Sequence, residues 1–141
     1  MTQPMHDAEF FIPGPPVVKG RPRFTRNGHT YSPSKTVNYE QLVGVYGAEA
    51  MQGRPPLTGP LRVDIMAVWP WPKSMSQKKR KLAGSHWKIT RPDRDNLDKI
   101  IGDGANNIVW ADDSQIVAGE TQKIYGMTPG VRVTVERLIK E

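Results

Sequence analysis

A set of acidic residues past the middle of the chain has the spacing of a cation site. Asp93 and Asp95 stand two positions apart, and the pair Asp112-Asp113 follows further along. Because Pro92 disfavours helix for the residue before it, we expect an extended approach to Asp93. In an extended chain, residues two apart point to the same side, with Cα atoms about 6–7 Å apart. Two carboxylates so placed can flank a hard cation such as Mg²⁺.

The residues after Asp93 have the pattern of an amphipathic helix. We predict a helix over residues 95–108, with Asp95 as its N-cap. At about 100° per residue, one face is polar, and it consists of Asp95, Asp98, Lys99, Gly102, Asp103 and Asn106. The opposite face is apolar, with Leu97, Ile100, Ile101, Ala105 and Ile108. A lysine therefore lies one turn, about 6 Å, beyond the first carboxylate of the polar face.

Ordinary helix electrostatics explain part of this pattern. Acidic residues in the first turn match the helix dipole, and Asp95 with Lys99 has the spacing of an i,i+4 ion pair. That interpretation accounts for neither Asp93 nor Asp112-Asp113. Carboxylates that hold Mg²⁺ next to a lysine are groups that phosphodiester hydrolysis requires. The ion polarises the phosphoryl oxygen, and Lys99 would stabilise the transition state or assist the leaving group.

Other metal and phosphate sites match the sequence poorly. An EF-hand loop beginning at Asp93 would need a ligand at Leu97 and glycine at Asp98. Residues 14–20 resemble a phosphate-binding loop only loosely, since Lys19 precedes the glycine and two prolines lack the N–H groups. The chain has no cysteine, and its three histidines lie far apart. We therefore expect neither a zinc hydrolase nor a nucleotide cofactor.

The helices and strands that the sequence predicts around these residues indicate an α+β fold, in one domain that spans residues 1–141. Alternating apolar residues predict four strands, at residues 9–12, 61–69, 114–125 and 130–139, in a small mixed or antiparallel sheet. Three helices are predicted at residues 35–51, 76–83 and 95–108. In the first of them Val37, Gln41, Val45 and Ala48 repeat at helical spacing.

Charge is unevenly distributed along the chain. Between Lys19 and Arg91, 14 Lys and Arg stand against three acidic residues, a local net charge of +11. Between Asp93 and Asp113, six Asp stand against two basic residues, a local −4. A basic body with an acidic site suits a polyanionic partner, although a merely soluble basic domain has the same composition. No run approaches the roughly 18 apolar residues of a membrane span, and the first residues lack a signal-peptide pattern. We expect a cytoplasmic protein with no membrane partner.

Two motifs, in order along the chain, are similar to the signature of the RusA family of Holliday junction resolvases. They are Asp93-Arg-Asp-Asn-Leu-Asp-Lys99 with Asp103, and Trp110-Ala-Asp-Asp-Ser-Gln-Ile116. Gly14-Pro-Pro-Val-Val-Lys-Gly-Arg-Pro-Arg-Phe24, with Tyr31-Ser-Pro after it, resembles the N-terminal motif of one branch. The resemblance implies a small endodeoxyribonuclease, often prophage-encoded, that uses Mg²⁺, with Mn²⁺ a plausible substitute. It also implies a homodimer with an α/β fold that resolves four-way DNA junctions by paired symmetric nicks during recombination and repair.

Carried over position by position, the resemblance implies a catalytic set of Asp93, Asp95, Lys99 and Asp113. The three aspartates of this set are the implied metal ligands. Asp103 matches an aspartate in the middle of the family's helix and is an additional candidate ligand. Asp112 is another, although its expected role is chiefly structural.

Three residues of the predicted helix depart from the family pattern. Asp98 stands where leucine or another uncharged residue is usual. Gly102 and Gly104 replace residues that favour helix, and each costs up to about 1 kcal/mol of helix propensity relative to alanine. We expect them to loosen the helix near the site.

Basic residues are expected to bind DNA phosphates, and the candidates are Lys19, Arg21, Arg23, Arg26, Lys78, Lys79, Arg80, Lys81, Lys88 and Arg91. Trp69, Trp71 and Trp87 are expected in the core or at dimer contacts rather than stacked on bases. Two alternatives stay open at this point. One is a nuclease of the same family that tolerates flaps and other branched DNA. The other is a non-catalytic DNA-binding protein whose acidic residues are caps and ion-pair partners.

Overall fold

A five-stranded mixed sheet and two α-helices form the body of the computed structural model, which describes residues 6–18, 23–24, 28, 30–31, 34–73, 75–76 and 86–139. The described elements are β1 (Ala8–Pro13), β2 (Arg23–Phe24), β3 (Thr30–Tyr31), α1 (Ser34–Met51), β4 (Leu61–Trp69), α2 (Arg94–Gly104), a 3-10 helix (Asp113–Gln115), β5 (Ile116–Ala118), β6 (Thr121–Tyr125) and β7 (Gly130–Arg137). The α+β class is as predicted. The predicted helix at 76–83 lies, apart from Ser76, outside the described residues.

The sheet is built around β7 and β4. β7 pairs antiparallel with β1 on one side and with β4 on the other. β5 and β6 both pair parallel with β4, on successive parts of its free edge. β2 and β3 form a separate antiparallel pair. The prediction of four strands was therefore wrong in number, although it placed the long strands correctly.

The predicted single strand at 114–125 is interrupted at Gly119. This glycine has φ +140°, and a Cβ there would lie 1.8 Å from the Val63 carbonyl oxygen. The next residue restores the pairing, because the Ile65 N–H donates to the Glu120 carbonyl (2.8 Å) and the Glu120 N–H donates to the Asp64 carboxylate (2.9 Å). A glycine at this position is what allows β5 and β6 to follow the same neighbour.

One face of the sheet packs against the two helices and forms the core. Alternate residues of β4 and β7 face inwards, as the period-2 pattern predicted, and they include Val63, Ile65, Ala67, Val131, Val133 and Val135. Leu97, Ile100 and Ile101 of α2 are at most 1 % exposed. The predicted apolar face of this helix is thus the buried one.

The two glycines that the sequence predicts to loosen α2 also have a packing role. A Cβ on Gly104 would lie 2.7 Å from the Val43 Cβ and 2.9 Å from the Glu40 carbonyl oxygen. Gly104 therefore allows α1 to cross α2 closely. Gly102 lies beneath the segment that carries Asp113. The expectation of a loose helix missed both contacts because neither is local in sequence.

The ends of α2 differ from the prediction. The helix begins one residue early, and Asp93 rather than Asp95 occupies the N-cap position, with φ −74° and ψ 152° and no side-chain capping hydrogen bond. Residues 105–108 leave the helix, and Asn107 has a left-handed φ of 65°. Among the described residues, no helix is both long and apolar enough to cross a lipid bilayer.

Candidate active site

The first two candidate aspartates lie at the N-terminus of α2. Asp93 is the last extended residue and Asp95 is already helical, so the same-side arrangement expected for an extended chain was wrong. Both side chains are exposed to solvent. The segment before them is held by Lys123 of β6, whose Nζ donates to the carbonyl oxygens of Thr90 (2.8 Å) and Pro92 (2.7 Å).

Lys99 lies one turn further along the exposed face of α2. In the part of the chain that the structure describes, no ion pair joins it to Asp95. Asp95 and Lys99 therefore do not form the ordinary i,i+4 salt bridge that was the alternative interpretation. Asp98, beside Lys99, instead accepts a hydrogen bond from the Thr121 hydroxyl of β6.

Asp113 is brought back over α2 by the segment that follows the helix. Trp110 is fully buried and its Nε1 donates to the Gly102 carbonyl oxygen (3.2 Å). The Asp113 N–H donates to Oδ1 of Asn106 (3.0 Å). As a result the Asp113 side chain lies against Gly102, where a Cβ would be 3.5 Å from both Cβ and Oδ2 of Asp113. The buried glycine on the polar face of α2 thus has an explanation.

Asp112 and Gln115 hold the short helix that carries Asp113. They form a capping box, in which Asp112 accepts from the Ser114 N–H (3.4 Å) and Gln115 Oε1 accepts from the Asp112 N–H (2.7 Å). Gln115 Nε2 also donates to the carbonyl oxygens of Leu57 (3.0 Å) and Gly59 (2.9 Å). Sequence analysis assigned Gln115 no role, although an acidic residue followed three positions later by glutamine is a local signal for such a box.

Replacing Gln115 with methionine should destabilise the protein by about 1–3 kcal/mol, because a side chain of similar length leaves the Leu57 and Gly59 carbonyls without their donor. Urea unfolding measures the change in stability. Gln52→Met, at an exposed position just after α1, is the matched control. Equal behaviour of both variants would contradict this role.

The electrostatics distinguish the two neighbouring aspartates. A hydrogen bond with the Asp112 side chain, desolvation, and the charges of Asp112 and Asp103 raise the pKa of Asp113 above its usual range. Hydrogen bonds from the Ser114 hydroxyl and N–H, and from Asp113, lower the pKa of Asp112. A cation bound beside Asp113 would lower this pKa, because it favours the ionised form of the carboxyl group.

The described carboxylates suit Mg²⁺ in chemistry, but they are not assembled into a complete cage. Among the described residues, no three Asp, Glu or His side chains are grouped so that they could hold a metal ion. Asp103 and Asp112 are close enough to raise the pKa of Asp113. Asp113 lies against Gly102, and Asp95 is seven residues, about 10 Å along the helix axis, from that glycine. Mg²⁺ commonly takes one or two protein carboxylates together with substrate phosphates. The donor set fits that mode of binding.

A cavity of about 380 Å³ opens between α2 and the edge of the sheet formed by β4, β5 and β6. Lys99, Asp113 and Asp98 line it on the polar side, and Val63, Ile65 and Ile101 on the apolar side. The structure thus brings Lys99 and Asp113 to one cavity. Asp93 and Asp95 lie outside its lining, at the start of the same helix.

Of the ten basic candidates for DNA binding, the structure describes the side chains of Lys88 and Arg91. The other eight side chains, those of Lys19, Arg21, Arg23, Arg26, Lys78, Lys79, Arg80 and Lys81, lie outside the described part. Arg91 is exposed. Lys88 Nζ donates to the Thr90 hydroxyl (2.7 Å) and lies 5.3 Å from the ring centroids of Trp69 and Tyr125.

Two basic residues that sequence analysis did not select share a surface groove of about 390 Å³ with Lys88. They are Arg94, inside the acidic motif itself, and Lys123.

The three candidate tryptophans have different surroundings. Trp69 packs against the core, Trp71 stacks on Tyr125, and Trp87 is 49 % exposed and stacks on His86.

Comparison with known proteins relates the chain to one protein family. The family model described as endodeoxyribonuclease RusA matches residues 13–136. An uncharacterized protein of Bacillus subtilis (strain 168), YqaN, is 35 % identical over 139 residues, which cover 92 % of this chain and 96 % of that protein. Both the N-terminal motif and the two acidic motifs lie inside the matched range.

Proposed function

Since the chain belongs to the RusA endodeoxyribonuclease family, we propose that it resolves four-way DNA junctions by paired symmetric nicks that depend on Mg²⁺. The family supports endonucleolytic cleavage of DNA. The observation that carries the finer proposal is the placement of Lys99 and Asp113, from two separate motifs, on one cavity. Helix capping and ion pairing alone do not explain why the chain returns after α2 to bring Asp113 to the cavity that Lys99 also lines.

Asp113 above Gly102, and Asp93 and Asp95 at the start of α2, are the residues that would hold Mg²⁺, with one or two carboxylates to an ion together with a DNA phosphate. When bound, the ion supplies Lewis-acid polarisation of the phosphoryl oxygen and helps to generate hydroxide. Lys99 contributes positive charge to the side of the phosphate that faces α2, where it stabilises the additional negative charge of the transition state. Lys123 and Gln115 keep the two acidic segments in place through backbone carbonyls, so they are positioning residues.

The proposal is tested with a mobile four-way junction, a flap and a linear duplex, each incubated with Mg²⁺ or with EDTA. We expect paired nicks on the junction that require Mg²⁺. Asp95→Asn should cut slowly yet bind the junction, because the cations that contact phosphates are unchanged. Equal cutting of the flap would contradict junction specificity, and binding without cutting would contradict an enzyme.

We also propose that the protein acts as a homodimer, since two equivalent strands must be cut. The stripe that sequence analysis found on α1, made of Val37, Gln41, Val45 and Ala48, is exposed, with Val37 39 % and Val45 61 % accessible. Leu42 next to it is 38 % accessible, and Lys35 and Glu49 lie on the same side of the helix as Leu42, each seven residues from it. An antiparallel pairing of two α1 helices about Leu42 would set each lysine opposite the glutamate of the other copy.

Val45→Glu should convert the dimer to a monomer without unfolding it, because the residue is accessible in the single chain. Light scattering after gel filtration measures the mass of the particle. Met127→Glu, at a position 92 % exposed in the turn before β7, is the control for added charge. A dimer that survives Val45→Glu would place the subunit contact elsewhere.

A further inference from the structure

We propose that Thr121 is a positioning residue: by holding the Asp98 carboxylate, its hydroxyl keeps two cations of α2 free to bind DNA phosphates. The two cations are Arg94 and Lys99. This inference deepens the proposed function and rests on it, because it assigns both cations to the DNA substrate.

Thr121 lies between the two surface features that contain these cations. It lines the cavity that contains Lys99, and it also lines the basic groove that contains Arg94. Its register partner in β4 is Ile65, which faces the core, so the Thr121 side chain lies on the face of the sheet that the helices cover. Asp98 meets it there from the second turn of α2, and its carboxylate accepts from the Thr121 hydroxyl.

Asp98 is within reach of both cations. Arg94 precedes it by four positions, the spacing at which oppositely charged side chains on a helix form ion pairs. Lys99 follows it directly and lines the same cavity. In the part of the chain that the structure describes, however, Asp98 forms an ion pair with neither cation. The neutral hydroxyl of Thr121 therefore takes the place that a cation could have at this carboxylate.

The other basic residue of β6 is already engaged. Lys123 Nζ donates to the carbonyl oxygens of Thr90 (2.8 Å) and Pro92 (2.7 Å). Arg94 and Lys99, by contrast, form no ion pair with any described residue. A DNA phosphate that approaches α2 therefore meets two cations that no described carboxylate neutralises. Contacts between basic side chains and phosphates supply a large share of the affinity for DNA.

Thr121→Val tests this role, because valine keeps the shape of the side chain and removes the hydroxyl. The released Asp98 carboxylate would then compete with DNA for the neighbouring cations. We expect cleavage of a four-way junction to slow about two- to fivefold, the range that corresponds to one exposed ion pair. Thr121→Ser, which retains a hydroxyl, should cut at the wild-type rate. Thr134→Val, on the opposite face of the sheet, is the matched control and should have no effect.

Removing the carboxylate distinguishes this role from a hydrogen bond that only fastens α2 to β6. If the bond only fastened the helix, Asp98→Ala would slow cleavage as much as Thr121→Val. We expect Asp98→Ala to cut at least as fast as wild type, since both cations stay available. The double variant Asp98→Ala/Thr121→Val should also recover the wild-type rate, because no carboxylate is left to release.

Binding to a linear duplex in EDTA gives a readout that does not depend on cleavage. Each phosphate contact by a basic side chain contributes about 0.9 to the slope of log affinity against log salt concentration. Thr121→Val should therefore reduce the size of this slope by up to about 1, because one carboxylate can neutralise one cation. The double variant should restore the slope.

The outcomes separate this inference from the proposed function. Equal loss in Asp98→Ala and Thr121→Val, or a double variant as slow as Thr121→Val, would overturn the role of Thr121 and leave junction resolution standing. An unchanged rate or salt slope in Thr121→Val would do the same. A wild-type protein that binds DNA and cuts no junction would overturn the proposed function, and the salt slopes would still decide the role of Thr121.

Discussion

Replacing Asp113 with asparagine should lower the rate of DNA cleavage about 10²–10³-fold, the loss typical of removing one group that stabilises a transition state. The amide keeps the size of the side chain against Gly102, and the hydrogen bond from the Asp113 N–H to Asn106 is a backbone contact that the substitution spares. Binding to a four-way junction should stay nearly unchanged, because the basic surface is intact. Single-turnover cleavage and a gel-shift titration measure the two quantities.

Asp112→Asn is the matched control, since it makes the same aspartate-to-asparagine substitution at the neighbouring residue. Asparagine is as good an N-cap as aspartate, so the bond from Ser114 can persist. Cleavage should therefore survive, and its pH dependence should change. Asp112 raises the pKa of Asp113, so removing its charge lowers that pKa and keeps Asp113 ionised at lower pH. The acid limb of the rate profile should move to lower pH. Equal loss of activity in both variants would contradict the assignment of Asp113.

The sequence predicted well those features in which apolar residues repeat at a fixed spacing within one helix or strand. Alternation in β4 and β7 and the apolar face of α2 depend on side chains within one element, and the structure confirms them. The exposed stripe on α1 shows the limit of periodicity. The side chains that α1 buries are those of Thr36, Tyr39, Val43 and Met51, and helical spacing alone does not identify which face meets the sheet.

The features that were missed depend on contacts between distant residues. Gln115 reaches the Leu57 and Gly59 carbonyls across 58 and 56 positions, and no local pattern announces those acceptors. Lys123 holds the Thr90–Pro92 segment across about 30 positions. The proposed catalytic residues could be selected from their motifs. The sequence could not predict that Asp93 and Asp95 lie at the start of α2 while Asp113 lies against Gly102. That separation depends on where the chain returns after the helix.

Gly119→Ala should destabilise the protein by about 3 kcal/mol or more. A left-handed backbone costs about 1–2 kcal/mol for a residue with a Cβ, and forcing an atom into a packed position costs about 1–3 kcal/mol. Here the obstacle is backbone, because the new Cβ would lie 1.8 Å from the carbonyl oxygen and 2.7 Å from the carbonyl carbon of Val63. Neither can move without disturbing the pairing of Val63 with Val135 of β7. Urea unfolding, followed by circular dichroism, measures the change.

Gly53→Ala separates the two contributions to that loss. Gly53 also has a positive φ, of 79°, but a Cβ there would meet nothing within 4 Å. It should therefore cost only the backbone term, about 1–2 kcal/mol. The two variants should differ in function as well. Gly119 sets the register of β6, which carries Thr121 and Lys123, so its replacement should slow cleavage even at urea-free conditions where the fold persists. Equal stability and equal cleavage for the two alanine variants would show that the interruption between β5 and β6 does not position the site.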